Sequence, residues 1–189
     1  MTAPGAGAAA VPRRPSVSSH EDWGGRVPTS PKVVSMTRAR EIREQLASSG
    51  TTLGVCHGCF DILHSGHVHH LTQAAARADR LLVSVTAARR INKGPNRPIF
   101  GDQARVAVLA ALEAVDYVLL NDDDTAVPLI RALRPDYYFK GADYADMRDP
   151  RVVEEVEAVN AGGGSFVLTD DAVFDSSTRA AGLLLESGR

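Results

Sequence analysis

Five short apolar runs, each separated from the next by a stretch of helical periodicity, limit what this 189-residue chain can fold into. The runs cover residues 51–56, 81–86, 116–120, 137–140 and 164–168. Helical patterns occupy residues 36–49, where Ile42 and Leu46 stand four apart, and then 65–78 and 102–113. They recur at 125–133, 152–160 and, as a closing helix, 176–187, and Asp102 is expected to cap the third. Strands this short and this apolar belong inside a parallel sheet covered on both faces. Right-handed crossovers then give an α/β fold, a Rossmann-like doubly wound sheet of about five parallel strands with helices on both faces. In such sheets ligands bind beyond the carboxyl ends of the strands. The informative turns of this chain fall there, after Cys56, Thr86, Lys140 and Leu168.

Composition narrows the class further. A net charge of -2 and a pI near 6.3 predict neither nucleic acid nor membrane as partner, since both select a basic surface. Two cysteines cannot form a disulfide scaffold, so a reduced, cytoplasmic setting is expected. Residues 1–32, rich in Ala, Gly, Pro and Ser and containing Trp23, read as a disordered tail. Residues 33–189 read as one domain.

Between Val55 and His70 the chain reads V-C-H-G-C-F-D-I-L-H-S-G-H-V-H-H, with five of its six histidines and both cysteines. His64 and His67 stand three apart where the helix opens, so both imidazoles leave one face of its first turn. The unpaired N–H groups and positive dipole of that turn attract anions. Imidazoles fixed there can donate to phosphate oxygens that gain charge in a transition state. Cys56 and Cys59 form a C-x-x-C, which also suggests a thiol-redox pair or half a zinc site. A second thiolate pair is missing, however, and Cys56 should end a buried strand. No metal ligand is therefore assigned, and His69 and His70 receive no role.

The G-C-F-D-I-L-H-S-G-H segment resembles the signature of the HxGH nucleotidyltransferases, the cytidylyltransferase-like superfamily. Further blocks, from about Leu53 to Leu184, are similar to the adenylyltransferase domain of the bifunctional heptose kinase/heptose 1-phosphate adenylyltransferases. They are N-K-G-P-N-R-P from Asn92, L-A-A-L from Leu109, V-D-Y-V from Val115, R-P-D from Arg134 and K-G-A-D-Y from Lys140. Gly162–Gly164 and Ser176-Ser177-Thr178 complete the order.

The resemblance implies roles. His64 and His67 would hold the triphosphate and stabilise charge. Backbone groups of Gly58, Cys59 and Phe60 would line the nucleotide, with Asp61 ordering the turn. Lys93 would act catalytically on the substrate phosphate, with Arg105 and Arg179 as further phosphate contacts. Lys140, Gly141 and Asp143 would meet base and ribose, and Ser176, Ser177 and Thr178 would open an anion-binding helix. Arg179 stands where the family usually has threonine, and residues 146–150 make a longer connection than expected.

The implied reaction moves a nucleotidyl group, adenylyl above all, from ATP or another NTP to a sugar 1-phosphate. D-glycero-D-manno-heptose 1-phosphate is the expected acceptor, Mg2+ accompanies the nucleotide, and a homo-oligomer, dimer or larger, is expected. A cytidylyltransferase acting on glycerol 3-phosphate is the alternative. A nucleotide sensor without turnover and a zinc or redox module are the rivals from other classes.

Overall fold

The structure, a computed structural model, describes residues 30–92, 94 and 97–170. Its elements in chain order are α1 (Met36–Ser48), β1 (Leu53–Gly58), α2 (Ser65–Ala75), β2 (Arg80–Thr86), α3 (Asp102–Ala110), β3 (Tyr117–Asn121), α4 (Val127–Leu133), β4 (Tyr137–Gly141), α5 (Pro150–Ala161) and β5 (Ser165–Thr169). Single 3-10 turns at Ala88–Arg90 and Ala142–Tyr144 follow β2 and β4.

The strands form one five-stranded sheet in the order β3-β2-β1-β4-β5, with every pair parallel. The strand order reverses its direction of winding between β1 and β4, so the crevice at their carboxyl ends is the topological switch point. Strand alternation sends neighbouring side chains to opposite faces. Cys56, Leu81, Val83 and Val85 pack with Leu71 and Ala74 of α2 and Val106 and Leu109 of α3. Val55, Leu82 and Tyr138 pack on the other face with Ala39 of α1, Leu129 and Ile130 of α4, and Val159 of α5. The doubly wound expectation is met.

Boundaries moved for local reasons. β1 begins at Leu53 and continues through His57 and Gly58, because these two pair in register with Ser84 and Val85 of β2. The turn therefore starts after Gly58 rather than on it. Gly101 caps α3, and Asp102 is its first residue. The Asp102 carboxylate is instead occupied by the Ala88 amide at 2.7 Å and the Arg105 guanidinium at 2.5 Å. The expected helix over residues 176–187 lies outside the described residues.

Register rests on a repeated device at the amino ends of the strands. Asp79, just before β2, accepts the Thr52 amide next to β1 at 2.8 Å. Asp116 accepts the Leu81 amide and Asp136 accepts the Leu53 amide, each at 2.8 Å. Each carboxylate thus fixes where the neighbouring strand begins. Close packing adds to this at Gly54, where an added Cβ would lie 2.8 Å from the Phe139 ring and 2.9 Å from Ala78.

Lys32 already belongs to the folded body, which corrects the boundary placed after it. Its carbonyl accepts the Val118 amide at 2.8 Å, and the Val34 amide returns to the Val118 carbonyl at 2.9 Å. The incoming chain thereby pairs with β3 in parallel through a bridge at Val33.

Candidate active site

The turn after β1 delivers the two histidines. Phe60 takes a left-handed conformation, φ +46°, which turns the chain sharply and buries its own ring. His64 is the N-cap of α2 in extended conformation, and His67 lies one turn along. The two imidazole centroids are 3.9 Å apart, and the Phe60 ring meets His67 edge-on at 5.4 Å. Both rings therefore stand at the amino end of α2, beside the carboxyl ends of β1 and β4. That is where the dipole and free amides of a helix favour an anion.

Asp61 does more than order its own turn. Its Oδ1 accepts the amides of Ile99 (2.7 Å) and Phe100 (3.0 Å), and its Oδ2 pairs with Arg97 at 2.8 Å. Burial pushes the pKa of this carboxyl up, but Arg97 and the two amides outweigh that and hold it below the ordinary value.

Arg105 is corrected from a phosphate contact to a buried clamp. Its side chain is fully enclosed. It donates to the carbonyls of Cys59 (2.6 Å), Thr86 (2.8 Å) and Phe100 (3.0 Å) and to the Asp102 carboxylate. Four of its five N–H donors are spent on this chain, and the enclosed side chain is a brace of the turn rather than an open contact.

Lys140 is also relocated. Its ammonium is buried in an ion pair with Glu155 of α5 at 2.9 Å, between the rings of Tyr144 (5.0 Å) and Tyr138 (5.5 Å). Its charge is thus paired within the chain, with Glu155. Gly141 follows it at the end of β4, where an added Cβ would stand 2.6 Å from the Asp143 carboxylate. Gly141 caps the 3-10 turn that leaves β4, and Asp143 lies within it.

Two residues without an assigned role turn out to be structural neighbours of the site. His57 shares hydrogen bonds with Ser84 Oγ (3.0 Å) and Thr86 Oγ1 (3.3 Å). Burial, and after it the charges of Lys140 and Arg151, push its pKa down to about 3. His70 shares a 2.7 Å hydrogen bond with Thr169 Oγ1, which ties α2 to the end of β5. Burial and then Lys140 and His69 bring its pKa down to about 4. Cys56 is enclosed in β1, and burial pushes its thiol strongly upward against the pull of Lys140. That is the behaviour of an inert core cysteine rather than of a redox thiolate.

Lys93, Ser176, Ser177, Thr178 and Arg179 lie outside the described residues. Sequence reading missed Glu155 and gave Arg97, although it stands in the N-K-G-P-N-R-P block, no role of its own. Glu155 had a signal, since it stands three residues after Val152 and four before Val159 on the apolar face of α5. The pairing of Arg97 with Asp61 had none, because the two lie 36 positions apart.

Paired imidazoles at a helix amino end, at the switch point of a parallel sheet, form a site suited to phosphate groups. The cytidylyltransferase-like family model matches residues 55–181, and the chain belongs to that family. Bifunctional protein HldE of Caulobacter vibrioides is 41% identical over 141 residues, 74% of this chain and 28% of the relative. HldE of Acidiphilium cryptum is 47% identical over 116 residues, 60% of this chain and 24% of the relative. The chain thus spans roughly a quarter of the length of these relatives.

Among solved structures, a lipopolysaccharide core biosynthesis protein from Thermoplasma volcanium superposes with a TM-score of 0.54 at 26% identity. That match covers 67% of this chain and all of the other. The pantoate-beta-alanine ligase of Francisella tularensis, with a TM-score of 0.57 and 14% identity over 81% of this chain and 73% of its own, shares the fold. No helix among the described residues is long and apolar enough to cross a membrane.

Proposed function

We propose that this chain transfers an adenylyl group from ATP to a sugar 1-phosphate, D-glycero-D-manno-heptose 1-phosphate, releasing pyrophosphate and forming an ADP-sugar. The observation that carries the reading is the His64–His67 pair, centroids 3.9 Å apart at the amino end of α2. The acceptor is supported by the likeness to the bifunctional HldE proteins.

The acceptor phosphate is ionised at neutral pH and needs no protein nucleophile. One of its oxygens attacks the α-phosphorus in line, a new P–O bond forms, and the bond to the bridging oxygen breaks as pyrophosphate leaves. Catalysis is then a matter of position and charge. His64 and His67 would donate to oxygens of the triphosphate as charge passes to the leaving group. The amides of Gly58, Cys59 and Phe60 would line the nucleotide, with Gly141 and Asp143 on the β4 side. Lys93 and Arg179 would approach the substrate phosphate, and Ser176–Thr178 the triphosphate.

Mg2+ would enter with the nucleotide and neutralise part of its charge. Imidazoles and backbone amides suit phosphate oxygens better than a hard cation, so the metal would ride on phosphates and water. A homo-oligomer, dimer or larger, belongs to the same proposal.

A matrix of nucleotides against phosphorylated acceptors, read as pyrophosphate release, tests the reading. ATP with the heptose 1-phosphate should give the highest kcat/KM. Preference for CTP with glycerol 3-phosphate, or silence across the matrix, would overturn it.

A further inference from the structure

Resting on the nucleotidyl-transfer reading, we infer that Arg97 is a positioning residue: through Asp61 it fixes the strained turn that aims His64 and His67. Phe60 holds φ +46° in that turn, a conformation costly for a residue with a side chain. Such a conformation persists only where its surroundings over-determine it. Here the surroundings come from segment 97–101 and from Arg105.

Apolar burial does not fasten that segment, since Ile99 and Phe100 are 56% and 48% exposed. Polar contacts do. Asp61 takes the Ile99 and Phe100 amides and the Arg97 guanidinium, while Arg105 joins the carbonyls of Phe100 and Cys59. Turn and segment therefore brace each other. Arg105 lies in the core, where substitution would unsettle the fold. Arg97, with a quarter of its side chain exposed, can be changed while the core remains.

The test compares R97Q, R97K and the D61N/R97Q pair in steady-state pyrophosphate release and amide hydrogen exchange. R97Q should lose about tenfold to hundredfold in kcat, as expected when reacting groups shift by a fraction of an ångström to one ångström. Its nucleotide KM should stay within about twofold. R97K should recover most of the loss by restoring the charge. Exchange of the Ile99 and Phe100 amides should quicken by about tenfold or more in R97Q, with strands β1 to β5 unchanged. D61N should add little to R97Q, since both break the same contact.

A rise confined to the acceptor KM and additive with D61N would mark direct phosphate contact and overturn the positioning role. Unchanged exchange at Ile99 and Phe100 would overturn it as well. The exchange measurement needs no turnover, so a wild type silent toward every sugar 1-phosphate overturns the functional reading by itself.

Discussion

His67 contributes to the site in a way that depends on no other side chain being remade. It sits in the first turn of α2 with Phe60 against its edge and His64 beside it. His67→Ala removes a preorganised donor and leaves the helix one of its better formers. Turnover should fall by about a hundredfold to a thousandfold while the circular dichroism spectrum stays that of wild type. Retention of near-normal kcat would remove His67 from the mechanism. This pair was legible in the sequence because its geometry is local, three positions on one helix. Arg105 and Lys140 were misread for the opposite reason. A basic residue such as Arg105 on a helix or Lys140 at a strand end looks available to a ligand until distant chain supplies its partners, Cys59 and Thr86 carbonyls for the first and Glu155 for the second.

The starts of β1 and β2 are set by carboxylates that precede the neighbouring strands. Asp136 accepts the Leu53 amide and a bidentate contact from Arg43 at 2.7 and 3.2 Å. Asp136→Ala leaves that strand amide without its partner and should cost about 1–3 kcal/mol. Urea titration should show a lower midpoint at unchanged slope. A midpoint equal to wild type would mean that water replaces the carboxylate without loss. Element order and type were readable from periodicity, yet the end of β1 and the cap of α3 were not. They follow from cross-strand partners, His57 with Ser84, and from the demand of the Ala88 amide on Asp102, neither of which is visible in a local window.

At the scale of the whole molecule, two neutral histidines make stability depend on pH. The unfolded chain binds a proton at each near 6.5, whereas the folded chain waits until about 4 at His70 and about 3 at His57. Between these limits the unfolded state holds more protons, so stability falls as pH falls. Each histidine contributes up to about 1.4 kcal/mol per pH unit in its window. Denaturant midpoints measured from pH 7 to pH 5 should decline, and His70→Gln, which can keep a hydrogen bond to Thr169, should flatten the slope. Identical slopes would assign the dependence to other groups.

The bridge from Val33 to Val118 carries a consequence for how the molecule behaves in a crowded solution. β3 is an edge strand, and an uncovered edge offers unpaired amides and carbonyls to any passing chain. Lys32 and Val34 occupy the Val118 groups, so this edge is shielded by the protein's own incoming chain. Removal of residues 1–34 should therefore leave a protein that still folds but self-associates. Light scattering against concentration would show it, and a truncated chain as monodisperse as the full one would mean that the edge protects itself.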